Sequence, residues 1–225
     1  MSTKSHNGAK IGDKHTFRDW GLYLVERAIT LPELRTNYIT VPGRSGLLDL
    51  SEALDGEMHY DNRTVTLTLG TFEALTGVAW STLLSDVNDY VHGQRRTVIL
   101  DEDPDYHYTG RGKVESYEWD HHGRQEFVLS FDCDPFRAKN EETTVYKSIT
   151  ASDATITLTN NGRAVAPTIE VTAETKITWQ GSSIALSAGT HTVASIRIPT
   201  GRSTLSARTT SGTGEITLRW NEVML

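Results

Sequence analysis

Period-two alternation of apolar and polar residues runs through most of this 225-residue chain, and only one segment breaks it with a helical period. In Val65-Thr-Leu-Thr-Leu69 the odd positions are apolar and the even ones are Thr, the pattern of a half-buried strand. Phe127, Leu129, Phe131 and Cys133 alternate in the same way against Glu126, Ser130 and Asp132. Residues 106–119 are rich in Tyr, Val and Trp and run into Asp120-His-His-Gly123, which reads as a hairpin turn between antiparallel strands. Further strands are expected at 37–41 and 96–100. The exception is Trp80, Leu83, Leu84, Val87, Tyr90 and Val91, whose spacing makes one apolar stripe and predicts a helix over 79–92 stopped by Gly93. A chain patterned in this way is mainly β.

Charge and texture divide it in two. Residues 1–135 carry 13 Lys and Arg against 22 Asp and Glu, a net −9, whereas residues 136–225 carry 9 against 7, a net +2, together with 18 Thr. After Asp134-Pro135 the strands become short, at 155–159, 168–172, 176–179, 184–186, 195–198, 203–207 and 215–220. Gly-containing separators such as Asn160-Asn-Gly162, Gln180-Gly-Ser182 and Ser211-Gly-Thr-Gly214 stand between them, the pattern of a β-sandwich or jelly roll. The expected organisation is a flexible segment 1–14, an N-terminal β-sandwich or barrel-like domain 15–135 with the one helix, and a C-terminal β-sandwich 136–225.

Most functional classes are excluded by what the sequence lacks. One cysteine permits no intrachain disulfide. The first ten residues are polar, unlike a secretory signal, and no apolar run approaches the ~20 residues of a membrane span. An acidic chain with no basic cluster longer than Arg95-Arg96 is a poor nucleic-acid binder. Asp101-Glu-Asp-Pro-Asp105 begins like a calcium loop, but Tyr106 stands where the turn needs Gly and Gly112 where a bidentate Glu is required. An acidic, Pro-broken turn accounts for it. His121-His122 cannot chelate jointly from adjacent strand positions. Gly43-Arg-Ser-Gly46 lacks the nucleophile-elbow spacing, and no phosphate loop is present. Cys133 lies in line with buried positions and reads as an inert thiol. No catalytic residue, cofactor or metal site is expected.

One stretch exceeds generic β patterning: Pro32-Glu-Leu-Arg-Thr-Asn-Tyr-Ile-Thr-Val-Pro-Gly-Arg-Ser-Gly-Leu-Leu-Asp-Leu-Ser-Glu-Ala-Leu54, preceded by Phe17-Arg-Asp-Trp-Gly-Leu22. It resembles the N-terminal region of the distal tail proteins of siphovirus-type bacteriophages. Later segments follow in the same order: Tyr60-Asp-Asn-Arg63, Tyr90-Val-His-Gly93, Leu100 to Arg111, and Phe131-Asp-Cys-Asp-Pro135. In the second half Leu158-Thr-Asn-Asn-Gly162, Ala166-Pro-Thr-Ile-Glu-Val171 and Gly214-Glu-Ile-Thr-Leu-Arg-Trp220 resemble that family's C-terminal sandwich.

The resemblance implies a structural virion protein that forms a ring, usually a hexamer, at the distal end of the tail, assembled in the host cytoplasm. The N-terminal domains close the ring and the C-terminal domain is galectin-like. The implied partners are other copies of the chain, the tail tube protein, the tail-associated lysin or tail fibre, and receptor-binding proteins. The genome passes through the lumen without specific binding, beside a like-charged wall. Rings need heterologous contacts. The strand-turn at 37–46 and the hairpin at 101–111 are the expected contact regions, with Arg44 and Arg111 as cations for Asp49, Glu52, Asp101 or Asp103. The alternative function is a carbohydrate-binding module with Trp179 or Trp220 as stacking platform.

Overall fold

The computed structural model describes residues 7–54, 56–119 and 125–225. It divides into two compact units at Arg137/Ala138, each with its own hydrophobic core. The fold is mainly β, with antiparallel strand pairing in both units.

The first unit contains, in order, β1 (Ala9–Ile11), β2 (Lys14–His15), α1 (Thr16–Trp20), β3 (Leu22–Ile29), β4 (Tyr38–Thr40), β5 (Leu47–Asp49), β6 (Arg63–Thr71), α2 (Gly77–Val91), β7 (Arg95–Leu100), β8 (Asp103–Trp119) and β9 (Gln125–Cys133). Its sheet runs β3-β6-β9-β8-β7-β1-β2. The alternation seen in the sequence sets the register: Val65, Leu67 and Leu69 of β6 lie opposite Phe131, Leu129 and Phe127 of β9, and all six are fully buried. Burying each such side chain contributes about 1.5–3 kcal/mol, so a slip of one residue, which turns the three apolar side chains of the slipped strand outward, is strongly disfavoured.

Helix α2 buries Trp80, Val87 and Val91 in the same core, with the Trp80 ring 4.7 Å from that of Phe127. Two glycines let β8 lie close to its neighbours, Gly112 to the end of α2 and Gly110 to β9. A Cβ on Gly112 would stand 2.7 Å from Val91 Cγ1, and one on Gly110 only 2.5 Å from the Asp132 carbonyl. Backbone bonds fasten the contact, from Gly93 N–H to the Gly112 carbonyl and from Gly112 N–H to the Gln94 carbonyl, both at 2.8 Å.

Several expectations are corrected here. Residues 7–14 are not a loose leader: β1 pairs with β7, with Ala9 and Ile11 fully buried. Two apolar side chains at i and i+2 suffice to seat a three-residue strand, too short for periodicity to reveal. Helix α1 was missed for the same reason. His15 caps it, Nδ1 accepting from the N–H groups of Phe17 and Arg18 (3.1 and 3.3 Å), while Gly21 ends it in the left-handed conformation. Strand β3 was hidden because a register shift between Leu24 and Glu26 breaks its alternation. The expected turn at Asp120-His-His-Gly123, with His121 and His122, lies outside the described residues.

The second unit is a two-sheet sandwich. Strand β10 (Arg137–Thr150) leads into β11 (Ala154–Asn160), β12 (Thr168–Val171), β13 (Thr175–Trp179), β14 (Ser182–Leu186), β15 (Gly189–Thr192), β16 (Gly201–Thr209) and β17 (Thr213–Met224). One sheet has the order β15-β12-β17-β10 and the other β11-β16-β13-β14. Their inward positions, among them Ile149, Leu158, Ile169, Ile177, Leu205 and Leu218, form one core. The strand expected at 195–198 is not formed. Ile196 and Ile198 are buried, but the segment pairs only through Ile198 with Val165, and the edge strand is β15 instead.

Candidate functional site

Strands β3 and β6 form a ribbon whose register runs from Leu22 opposite Thr71 to Ile29 opposite Val65. Beyond Ile29 the two limbs stay paired as an arm. Thr30 N–H donates to the Thr64 carbonyl, Asp61 N–H to Glu33, and Arg35 N–H to His59, at 2.8–3.0 Å, and Leu34 bridges Tyr60. Arg35 Nε closes the base on Asp61 at 2.5 Å. The outer part is the hairpin β4–β5, a two-stranded sheet by itself in which Tyr38 faces Asp49 and Thr40 faces Leu47. The intervening turn uses Gly43 and Gly46 at φ 81°, a conformation open to glycine and costly for other residues.

None of the arm's strand residues is buried. Leu31, Leu34, Tyr38, Ile39, Leu47 and Leu54 are all exposed, Leu31 by 77% and Leu54 by 90%. Six exposed large apolar side chains on one excursion, Tyr38 and Leu47 on one face of the hairpin and Ile39 on the other, concentrate apolar area of the kind associated with protein contacts. Sequence reading found the strand at 37–41 but missed the arm as a whole, because alternation does not report how far a hairpin stands from the core.

The six candidate interface residues fall in two groups. Arg44, Asp49 and Glu52 belong to the arm and are exposed. Asp49 accepts from the Ser51 hydroxyl (2.5 Å) and backbone N–H (2.9 Å), which hold its carboxyl below the usual range. Asp101, Asp103 and Arg111 belong to the β7–β8 hairpin and are occupied within the chain. Asp101 takes His15 Nε2 at 3.0 Å and the Gly8 N–H at 3.0 Å. Asp103 pairs with Arg137, and Arg111 donates to the Gly93 carbonyl at 2.6 Å. No ion pair among the described residues joins the two groups.

At the opposite end of the β3–β6 ribbon lies an open pocket of about 280 Å³ lined by Trp20, Gly21, Thr71, Phe72, Glu73 and Leu75. Phe72 is 58% exposed, yet it is fixed by stacking on Tyr23 (4.3 Å between centroids) and by an edge contact with Phe17 (5.8 Å). Trp20 is buried, and its indole N–H has no acceptor among the described residues. Sequence reading missed this pocket. The only signal was an aromatic residue, Phe72, immediately after an alternating strand.

Other candidate chemistry is placed as follows. Cys133 is fully buried between strands, and burial pushes its thiol up to about 12. Among the described residues no group of three or more His, Cys, Asp or Glu side chains could hold a metal ion, and no helix is long and apolar enough to cross a membrane. Trp179 and Trp220 are 4% and 3% exposed, so neither is the stacking platform that a carbohydrate-binding module requires. Both belong to the core of the second sandwich, as their alternation with apolar neighbours dictates.

No family model matches the chain, and no curated protein matches it by sequence. Among solved structures it is similar to the Dit protein of phage SPP1, described as a paradigm of the hub adsorption apparatus in phages that infect Gram-positive hosts. The TM-score is 0.64 at 12% sequence identity, over 97% of this chain and 99% of that one. The likeness spans both units, and it establishes that the chain has a Dit-like fold.

Proposed function

We propose that the chain is a structural component of a phage tail tip: a ring, of six copies, that joins the tail tube to the tail-associated lysin or fibre and to receptor-binding proteins. The observation that carries this reading is the fold correspondence with the SPP1 Dit protein across nearly the full length of both chains. The residues of the first unit add a physical reason. A ring is built from heterologous contacts, and an arm covered with exposed apolar side chains needs a partner surface.

In this reading the first unit closes the ring and the second remains available to attachment proteins. Arg44, Asp49 and Glu52 act directly in the contact between copies. Asp101, Asp103 and Arg111, held by partners in their own chain, act by bracing the β7–β8 hairpin. The net −9 of residues 1–135 gives the lumen a sign that repels nucleic acid, so DNA passes without adhering. The protein is then a virion component assembled in the host cytoplasm, with no reaction of its own.

Negative-stain imaging of the purified full-length chain, alone and mixed with its tail tube protein, tests the reading. Rings with six-fold symmetry are expected. Dispersed single particles under both conditions would overturn it.

A further inference from the structure

The arm and the Phe72 pocket occupy opposite ends of one ribbon. The β3–β6 pairing that separates them runs from Ile29–Val65 at the arm's root to Leu22–Thr71 at the pocket, about 25 Å of strand. Two different surfaces at opposite ends of one unit are the arrangement from which head-to-tail assemblies are made, because the surface offered at one end is met by a different one on the next copy.

The two surfaces also match in chemistry. On the arm, the register places Tyr38 and Leu47 on one face, diagonal across β4 and β5, both more than half exposed. At the pocket, Phe72 and Leu75 give an apolar wall that the stacking on Tyr23 holds in place, so little side-chain freedom is lost on contact. The arm turn carries Arg44 and the pocket rim carries Glu73. Both are exposed, and neither has an ion pair among the described residues.

We propose that the pocket lined by Trp20, Phe72, Glu73 and Leu75 is the seat of the arm of a second copy, its Tyr38–Leu47 face against Phe72 and Leu75 and its Arg44 beside Glu73. The inference rests on the ring reading and specifies the contact that closes the ring. It assigns the aromatic cluster Phe17, Tyr23 and Phe72 a role as the rigid side of that contact. The other side is the arm, none of whose strand residues is buried in its own chain.

The test is a cross-link in the full-length chain. In the double variant L47C/F72C, a short thiol-bridging reagent is expected to give a ladder of covalent multimers ending at the closed ring. Either single variant gives none. Cys133 is fully buried and stays out of the reaction. A chain that assembles by light scattering but gives no ladder overturns the docking and leaves the ring reading standing. A chain that remains monomeric at every concentration, alone and mixed with the tail tube protein, with no ladder, overturns both.

A second measurement needs no added thiol. R44E is expected to weaken association at least tenfold, and E73R in the same chain to restore it. Equal weakening in the charge-swapped double variant would contradict the pairing of Arg44 with Glu73.

Discussion

Gln125 holds the backbone of Leu75 from both sides: its Oε1 accepts from the Leu75 N–H at 2.7 Å, and its Nε2 donates to the Leu75 carbonyl at 3.0 Å. The side chain is 1% exposed at the first position of β9, and it fixes the loop between β6 and α2 that forms the pocket rim. Replacement by Ala leaves two backbone groups unpaired in a half-buried site. Q125A is expected to cost about 1–3 kcal/mol in chemical denaturation, with faster amide exchange at residues 72–77 than in the wild type. Unchanged exchange there would mean the loop is held by other contacts.

Gly110 and Gly112 permit the close approach of β8 to β9 and to the end of α2. G110A would place a methyl 2.5 Å from the Asp132 carbonyl and 2.6 Å from Cys133 Sγ, where backbone has no room to yield. A loss of about 1–3 kcal/mol or more is expected in urea denaturation, in line with overpacked cores. G93A meets no atom within 4 Å and suffers only from its positive φ of 73°, so its expected loss is smaller, about 1 kcal/mol.

These glycines show why the fold was only partly legible in the sequence. Alternation in Val65 to Leu69 and Phe127 to Cys133 reveals two central strands directly, because both are buried on one face and pair in register. The stripe from Trp80 to Val91 reveals α2 to within two residues. Strand β3 is obscured by its register shift, and β10 by a largely polar sequence in which only Ile149 is buried. The candidate site is legible only in fragments: Arg44, Asp49 and Glu52 stand out, but nothing local in a sequence tells an arm from a core hairpin.

Cys133 gives a prediction in pH. Burial raises its folded-state value from about 9 to about 12, so the neutral thiol is favoured by folding. The unfolded chain releases this proton first as pH rises. The thiol's contribution to stability is therefore complete below pH 9 and is lost progressively between pH 9 and 12. Urea midpoints should fall across that window in the wild type and fall less steeply in C133A. The native thiol should also resist a thiol-reactive dye at pH 8 and react once urea is added.

Arm and core should be separable. Leu50 N–H donates to the Asn37 carbonyl at 2.8 Å, so these two residues are already positioned across a hairpin. Replacing residues 38–49 by Asn-Gly closes it with a favoured two-residue turn. No removed residue is buried, so the stability of the first unit should change by less than about 1 kcal/mol. Self-association should be lost. A trimmed chain that still assembles would remove the arm from the contact.

The most direct measurement is the mass of the full-length chain in solution by light scattering over a rising concentration series. Six copies of a 25.0 kDa chain give about 150 kDa, and ring formation predicts that mass at the upper end of the series. A constant mass equal to one chain throughout, with or without the tail tube protein, would contradict it.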